Sequence, residues 1–472
     1  MGGAPLGTGA SQGNGGAPAL QTLTLSNLQI EGNPKMPLGC FVSWTTAEPA
    51  DSEVRFVGAE GALSVRDEAE VTEHKVYVLG MRAGVSYDLT AMSSNATSTG
   101  SAEGAFTAGA LPNFVPEHAT LVTAASDKTQ PGFTLTNFWN GGGSPITALI
   151  LDAEGYPVWY YVSGTANDQF GATSTDWTFD GTVLLGNAGN EPAREVDLEG
   201  NIIWEGPTGG SATLSHHTSK LKSGNYFVVR ESASSARVEE LDAQKQVVWS
   251  WDLYQDGNIS NGGVNDWCHL NSVRTDSTEQ FVYFNCRFQG LFKVDKSSKS
   301  IVWHMGAGID DMETGDVTYK PDNSARFNDA HDPEVHADGT ALFYDNQGWA
   351  NRTVGDQNGN FHTRIVEYTL DEAAQEATLS WSFPGAFSTD AWYTESWSTP
   401  IWGDANRLEN GNVLVTAGVT GGNNGGMTPA GTKTRLFEVT REGEVVWALE
   451  WPSEVGSYRA TRVELPVHPL AP

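Results

Sequence analysis

Three histidines stand at the same register in three successive repeats of this 472-residue chain. His217, His269 and His331 each begin a five-residue segment (HTSKL, HLNSV and HDPEV) that leads through a turn into an apolar strand. Asp404 takes the equivalent position in a later repeat. The chain has only 10 histidines, so three in register favour a common site over three unrelated structural residues. An imidazole can act as a nucleophile, as a general acid or base, or as a metal ligand.

Arg287 adds a cation to this set. It lies in FNCRFQG, at the far end of the hairpin that begins at His269, so the chain folds back and brings the two together. A planar guanidinium suits a tetrahedral anion such as sulfate, although in an acidic chain it also suits an ordinary ion pair. His216 adjoins His217 and is predicted to point to the opposite face, because side chains alternate along an extended strand. The residues predicted to line a pocket for an aromatic substrate are Trp267, Phe288, Trp392, Trp402 and Asp404.

A repeated pattern predicts the elements that carry these residues. A strand, a short turn and an apolar strand ending in tryptophan recur six times, and a second hairpin precedes most copies. Successive tryptophans are 45, 45, 54, 78 and 66 residues apart. Each unit therefore has about four short antiparallel strands, which is the content of one β-propeller blade. The tryptophans, predicted to pack between blades, are Trp159, Trp204, Trp249, Trp303, Trp381 and Trp447.

The predicted fold is all-β, with a six-bladed β-propeller catalytic domain over residues 113–472. Innermost strands converge on the axis of a propeller, so the histidines in register are expected around one mouth of the central channel. The YRATRVELP segment is predicted to pair with an early strand and close the ring, which removes exposed sheet edges. Period-two alternation and the near absence of helix-forming runs exclude a helical solenoid.

The region before the propeller is predicted to hold two further segments. Residues 21–112 show short alternating strands typical of a fibronectin type III-like β-sandwich, with Trp44 and Tyr87 as core aromatics. Residues 1–20 are Gly-rich and predicted to be a flexible tether of the kind that follows a removed export signal, with an ordinary disordered terminus as the alternative. We expect an exported protein, periplasmic or extracellular, with lipid attachment through this tether as one option. No run of 18 apolar residues predicts a transmembrane segment.

Composition narrows the classes of partner. Asp and Glu number 58 against 27 Lys and Arg, a formal net charge of −31. This balance excludes nucleic acid as a partner and argues against an anionic membrane surface, since both require basic protein surfaces. The chain is 39% hydrophobic, with 16 Trp, which excludes disorder for most of it. Cys268 and Cys286 are approximate cross-strand partners, either as a disulfide or as two buried thiols.

Several motifs together resemble the bacterial arylsulfate sulfotransferase (arylsulfotransferase) family. They are DWCHLNSV, FNCRFQGLFKVDKSSKSIVWHMG, NDAHDPEVHADGTALFYDN and TRIVEYTLDE, and the similarity covers roughly 115–467, including YRATRV. The resemblance implies a six-bladed propeller behind a β-sandwich, in an exported protein. It also implies transfer of a sulfuryl group from a small aryl sulfate donor to a phenolic acceptor, through a sulfated histidine and without a nucleotide.

The resemblance also assigns roles to individual residues. His331, in the HD motif, would be the nucleophile that attacks sulfur. His269 and Arg287 match a pair that contacts the sulfate, and His217 matches the remaining histidine. These three groups would stabilise the charge that develops on the sulfuryl oxygens and on the leaving phenolate.

Two departures and two supporting expectations accompany that assignment. The family often has Asp where Thr218 stands, and Phe288 replaces a polar residue. Asp332 or Asp329 is expected to hold the tautomer of the nucleophilic histidine through a hydrogen bond. No cofactor is predicted, and the chain lacks the GxxxxGK[ST] motif of a nucleotide-binding loop.

Two other classes of function remain open at the level of the sequence. Axial histidines near Asp404 would suit Zn, Cu or Fe, which predicts a metal-dependent propeller enzyme. A non-catalytic propeller that binds a sugar or a phenolic ligand at the channel mouth is the second alternative, because propellers serve many functions.

Overall fold

The structure, a computed structural model, describes most of the chain. The described residues are 20–58, 61–140, 145–163, 174–186, 192–208, 213–232, 234–259, 267–306, 317–321, 326–347, 363–384, 392–393, 397, 399, 401–418, 434–452 and 455–470. Strands joined by turns account for nearly all of them, which confirms the predicted all-β class. Among these residues, no helix has the length and apolar character needed to cross a membrane.

The N-terminal strands pair into one sheet, in the order β1-β6-β5-β3-β4 with β2 on β3. Trp44 and Tyr87 are each 1% exposed, as expected of core aromatics, and the Trp44 indole donates to Ser93 Oγ at 2.8 Å. The fibronectin type III-like sandwich itself stays a prediction. The strands are β1 (Gln21–Thr22), β2 (Leu25–Asn33), β3 (Met36–Gly58), β4 (Gly61–Val78), β5 (Ser86–Ser94) and β6 (Ser98–Thr107).

The strands that follow, apart from β34, build the six blades of the propeller. Blade 1 is the one that begins with β8. Those of the first half are β7 (Thr120–Thr123), β8 (Phe133–Asn140), β9 (Ile146–Leu151), β10 (Pro157–Ser163), β11 (Thr175–Trp177), β12 (Val183–Leu185), β13 (Arg194–Val196), β14 (Ile202–Glu205), β15 (Thr213–Lys220), β16 (Tyr226–Ser232), β17 (Ser235–Leu241) and β18 (Val247–Asp252). Those of the second half are β19 (Leu270–Thr275), β20 (Phe281–Cys286), β21 (Gly290–Asp295), β22 (Ile301–Gly306), β23 (Thr318–Lys320), β24 (His331–Val335), β25 (Thr340–Asp345), β26 (Arg364–Asp371), β27 (Glu376–Phe383), β28 (Asp404–Arg407), β29 (Val413–Thr416), β30 (Arg435–Val439), β31 (Val445–Glu450), β32 (Val455–Gly456), β33 (Ala460–Val463) and β34 (His468–Pro469).

The described strands from β8 to β33 confirm the six-bladed arrangement. Blades 2, 3 and 4 are β11–β14, β15–β18 and β19–β22, each an antiparallel sheet of four neighbours. Blade 5 is β24–β27 with β23 added along its outer edge, and blade 6 is β28–β31. Blade 1 combines β8, β9 and β10 with β33 from the end of the chain.

Two ladders close the ring. The strand β33 pairs antiparallel with β8, joining Ala460 to Thr136 and Val463 to Phe133, so the predicted pairing of the YRATRVELP segment with an early strand is confirmed. The early strand β7 pairs in turn with β31, the outer strand of blade 6. A third pairing, β34 with β4, ties the end of the chain to the N-terminal sheet.

The repeated tryptophans connect neighbouring blades, which explains their spacing. Four of the indole N–H groups donate to a backbone carbonyl of the following blade at 2.8–2.9 Å. The pairs are Trp159 with Leu198, Trp249 with Lys296, Trp381 with Arg441, and Trp447 with Ala153 across the ring closure. The predicted packing role is therefore confirmed for these four, with a hydrogen bond added to a ring that is buried at Trp159 and Trp447 and partly buried at Trp249 and Trp381.

Candidate active site

Three imidazole rings and one phenol ring meet where the inner strands of blades 3, 4 and 5 begin. The centroids of His216 and His269 are 4.9 Å apart, and the ring of Tyr458 lies 6.0 Å from His216 and 6.1 Å from His331. These side chains come from β15, from the residue before β19, from the first residue of β24 and from the turn before β33. The sequence prediction that histidines of three blades converge is thus correct for two of the three.

The third histidine of the cluster is His216, and the expectation that it points away is wrong. The ladder between β15 and β16 shifts register between Ser215 and Thr218, and His216 has a φ of 20°. Ser215 pairs with Val229 and Thr218 with Val228, so two extra residues stand in β15 and break the alternation of side chains. This bulge turns His216 toward His269 and directs His217 elsewhere.

His217 is fully buried and hydrogen-bonded through both ring nitrogens. Its Nε2 lies 2.7 Å from Asp176 Oδ2, and its Nδ1 accepts from the backbone N–H of Val273 at 2.9 Å. Because Nδ1 accepts, Nε2 carries the proton and donates to the carboxylate. Burial lowers the pKa of His217, and the nearby Arg459 lowers it further. His217, predicted to contact the sulfate, therefore connects blades 2, 3 and 4.

The tautomer of His331 is held by an amide rather than by an aspartate. His331 Nδ1 lies 2.7 Å from Asn346 Oδ1, while Asn346 Nδ2 donates to the carbonyls of Thr399 at 2.5 Å and Trp402 at 2.7 Å. With both amide hydrogens used, Oδ1 faces the ring as an acceptor and His331 must donate from Nδ1. Its Nε2 therefore carries a lone pair, and the backbone N–H of Trp402 approaches it at 3.3 Å.

His331 is only 1% exposed, and its environment keeps the ring neutral. Burial lowers its pKa well below the ordinary value, and the positive charge of Arg287 acts in the same direction. A neutral imidazole whose Nε2 carries a lone pair is the nucleophilic form, and this lone pair accepts one long hydrogen bond, from the backbone N–H of Trp402. The imidazole of His331 thus stays neutral, and therefore nucleophilic, at acidic pH values where an exposed histidine is protonated.

The aspartates expected to orient His331 have other partners. Asp332 is buried between two guanidinium groups, with Arg274 Nε 3.1 Å from Oδ1 and Arg459 Nε 3.1 Å from Oδ2. Asp329 lies instead beside Arg287, whose Nη2 is 3.9 Å from Oδ2. The prediction that either aspartate sets the tautomer is therefore wrong. The residue that does so is Asn346.

Arg287 and His269 occupy adjacent strand ends that several bonds hold together. The N–H of Arg287 donates to the carbonyl of His269 at 3.0 Å, and the backbone N–H of His269 donates to Glu231 Oε1 at 2.7 Å. Cys268 and Cys286 are joined by a disulfide with Cα atoms 4.6 Å apart. The side chain of Arg287 is 9% exposed. The predicted proximity of Arg287 and His269 is confirmed, and of the two cysteine alternatives the structure has the disulfide.

Replacing both Cys268 and Cys286 by serine is expected to destabilise the protein. Their bridge closes a loop of 18 residues, and the loss of such a cross-link costs about 3 kcal/mol in the free energy of unfolding. Denaturant titration of the double variant and the wild type measures this difference. The Cys40→Ser variant, at a buried free thiol, is the control. Equal unfolding midpoints for the wild type and the double variant would contradict the expectation.

The residues predicted to line an aromatic pocket divide into two groups. Phe288 lies 5.6 Å from the ring of His269, and the Trp402 ring lies 5.8 Å from Tyr458, so both border the cluster. The other three do not border the cluster. Trp267 packs beside Tyr254, and the guanidinium of Arg435 lies over the ring of Trp392 in the core between blades 5 and 6. Asp404 is fully buried and accepts a hydrogen bond from Asn406.

The sequence analysis did not identify four residues in or beside the cluster as site residues. They are His216, Asn346, Tyr458 and Arg459. Burial raises the pKa of Tyr458, so its hydroxyl is a hydrogen-bond donor and not an anion. Arg459 spans three inner strands, contacting Asp332, the carbonyl of Asn271 and, at 3.8 Å, Asp176. Tyr458 and Arg459 are the first two residues of the YRATRV segment, whose polar and aromatic side chains next to a ring-closing strand are the sequence signal for a role at the axis.

We expect His216→Asn and His217→Asn to differ in what they damage. The first should lower the rate of any reaction at the cluster by about 10²-fold, the typical cost of removing one positioned hydrogen-bond donor from a site where charge develops. The second leaves Asp176 with one partner fewer in a buried site and should lower stability by about 2 kcal/mol. Turnover and thermal unfolding of both variants provide the measurement. A His217 variant that folds normally but is the less active of the two would contradict the assignment.

The described ranges contain no group of three His, Cys, Asp or Glu side chains arranged to hold a metal ion. The cluster instead combines a neutral nucleophilic imidazole, two further imidazoles, a phenol and a guanidinium. This set can accept an anionic group, form a covalent bond to it and move a proton.

Comparison with solved structures yields only low similarity. The chain is similar to a protein of unknown function from Bacteroides caccae, at 12% identity and a TM-score of 0.44, over 70% of this chain and 100% of that one. It is also similar to the β-propeller domain of Myceliophteria thermophila Cps50 (Swd1), at 12% identity and a TM-score of 0.40, over 70% and 90% of the two chains. These similarities carry no conclusion about function.

Comparison at the level of sequence families is more informative. No curated protein matches the chain. A family model described as Arylsulfotransferase (ASST) matches residues 118–459. The match covers well over half of the chain and includes every residue of the cluster, from His216 to Tyr458, together with Asp176 and Arg459. The chain therefore belongs to the arylsulfotransferase family.

Proposed function

We propose that this protein is a nucleotide-independent aryl sulfotransferase that transfers a sulfuryl group from an aryl sulfate to a phenol through a sulfated His331. Family membership indicates aryl sulfotransferase activity. The single observation that supports the covalent route is the fixed tautomer of His331. Its Nδ1 proton is committed to Asn346, and Nε2 is left as the nucleophilic atom next to a buried guanidinium.

In the first half of the reaction, the Nε2 lone pair forms an N–S bond and the S–O bond to the aryl group breaks. The bonding pair leaves on the aryl oxygen, which takes up a proton. We assign this proton to His269, whose carbonyl accepts from the N–H of Arg287 and whose ring neighbours His216, because burial lowers the pKa of His216 well below its ordinary value. A histidine that is largely neutral cannot supply that proton efficiently.

In the second half, the acceptor phenol returns the proton to His269 as its oxygen attacks sulfur. The N–S bond breaks and the pair returns to His331 Nε2, so the enzyme ends in its starting state. Arg287 provides positive charge beside the sulfuryl oxygens in both halves. Its planar fork of donors matches the geometry of a tetrahedral anion.

One further feature, the disulfide beside the site, supports an exported enzyme. A disulfide next to the site is more stable in an oxidising compartment than in a reducing one. We propose that residues 21–112 act as a fibronectin type III-like module in front of the catalytic propeller. The predicted tether, residues 1–20, lies outside the described residues apart from Leu20. The proposed reaction uses no cofactor, and its partners are a small aryl sulfate and a phenol.

The decisive experiment is to trap the covalent intermediate. The protein is mixed with 4-nitrophenyl sulfate in the absence of a phenol, quenched at alkaline pH and digested for mass spectrometry. We expect one sulfuryl group on the peptide that contains His331, and its disappearance when a phenol is added before the quench. Release of nitrophenol without an adduct would contradict the covalent route, and no release at all would contradict the proposed activity.

A further inference from the structure

A continuous arc of rings leads from the edge of the site to the nucleophile. Neighbouring centroids along it are 5.6, 4.9, 6.0 and 6.1 Å apart. Tyr458 and His331 at the inner end are almost fully buried, whereas Phe288 at the outer end is partly exposed. The rings in order are Phe288, His269, His216, Tyr458 and His331.

Phe288 is held in place by the same hairpin that carries the cation. Its backbone N–H donates to the carbonyl of Cys268 at 3.3 Å, across the disulfide with Cys286. The guanidinium carbon of Arg287 lies 5.0 Å from the centre of its ring. The ring is therefore preorganised beside the group that receives the sulfuryl oxygens, and little conformational entropy is lost when a ligand packs on it.

We propose that Phe288 determines specificity, as the surface on which the aryl ring of donor and acceptor lies, and that it selects flat, uncharged phenols. This inference rests on the proposed sulfuryl transfer. With the sulfuryl group between Arg287 and His331, the aryl group extends outward along the arc toward Phe288. Aromatic rings pack on one another by offset or edge contacts.

Charge explains why this surface favours uncharged acceptors. The sulfonate group of the intermediate carries a negative charge on the side of Arg287, and the protein as a whole carries a net charge of −31. A phenol with a carboxylate would bring a second anion to a partly apolar wall, where desolvation of the charge is unfavourable. For an uncharged phenol the desolvation cost is small, because the water removed from its aromatic ring is only weakly bound.

The test compares acceptors on the sulfated enzyme. The variants are Phe288→Gln, Phe288→Tyr, which keeps a ring, and Phe179→Gln, which changes an exposed phenylalanine outside the cluster as a control. The acceptors are 1-naphthol, 4-hydroxybenzoate and water, which has no ring. The preference is the ratio of kcat/KM for 1-naphthol to that for 4-hydroxybenzoate.

We expect Phe288→Gln to lower kcat/KM for 1-naphthol about 10-fold, the scale of one aromatic contact, while hydrolysis of the intermediate by water is unchanged. Phe288→Tyr and Phe179→Gln should keep the wild-type preference. A Phe288→Gln enzyme with the wild-type preference would overturn the role of Phe288, as would an equal loss with water. If the wild type forms no sulfuryl adduct, the proposed function fails instead, and the two failures are thus distinct.

Discussion

Asparagine in place of His331 is expected to lower sulfuryl transfer by about 10⁴- to 10⁶-fold, the range seen when a covalent nucleophile is removed. The amide of the variant can still donate toward Asn346, so the orienting contact of Nδ1 has a substitute. The asparagine side chain has no atom that replaces Nε2, whose lone pair faces the backbone N–H of Trp402 in the wild type. The measurement is release of nitrophenol from 4-nitrophenyl sulfate, together with the mass of the protein after mixing.

The control for this variant is His468→Asn, at an exposed histidine in β34, which pairs with β4 of the N-terminal sheet. We expect it to retain activity and to form the adduct. Thermal unfolding of both variants separates loss of chemistry from loss of fold, because a folded but inactive His331 variant has lost the reaction alone. A His331 variant that still becomes sulfated would place the covalent bond on another residue.

The blade repeat was predictable because its signal is local and repeated. The tryptophan that ends each apolar strand reports the register of a whole blade, and its indole meets the next blade through a backbone carbonyl, so the spacing must recur. The positions of His269 and His331 follow from that register. Ring closure by YRATRV followed from the need to pair a free sheet edge.

Two features of the site could not be predicted, for different physical reasons. The bulge inserts two residues, His216 and His217, into the ladder. Both histidines are chemically able to face the axis, and alternation along the strand predicted the wrong one. The partner of His331 Nδ1 is Asn346, on the far side of the hairpin. The prediction named two neighbouring aspartates instead. Asp332 is held by guanidinium groups from β19 and from the turn before β33, and Asp329 lies beside the guanidinium of Arg287.

Glutamine in place of Arg287 is expected to lower kcat/KM for an aryl sulfate by about 10²- to 10³-fold, the usual cost of removing one preorganised donor from a site where negative charge develops. The substrate is an anion that approaches a protein with a net charge of −31. The buried guanidinium of Arg287, beside Phe288, offsets this repulsion locally, since electrostatic fields are strongest in clefts of low dielectric. Arg287→Gln should therefore raise KM as well as lower kcat.

Arg287→Lys separates charge from geometry in the same measurement. A lysine keeps the positive charge but not the planar fork of donors, so we expect partial recovery, about 10-fold better than glutamine and still below the wild type. Arg66→Gln, at an exposed ion pair of the N-terminal sheet, is the matched control and should leave kcat/KM unchanged. Because Arg287 also lowers the pKa of His331, the acid limb of the rate profile should move to higher pH in the glutamine variant. An unchanged profile together with unchanged KM would show that Arg287 acts on neither the anion nor the nucleophile.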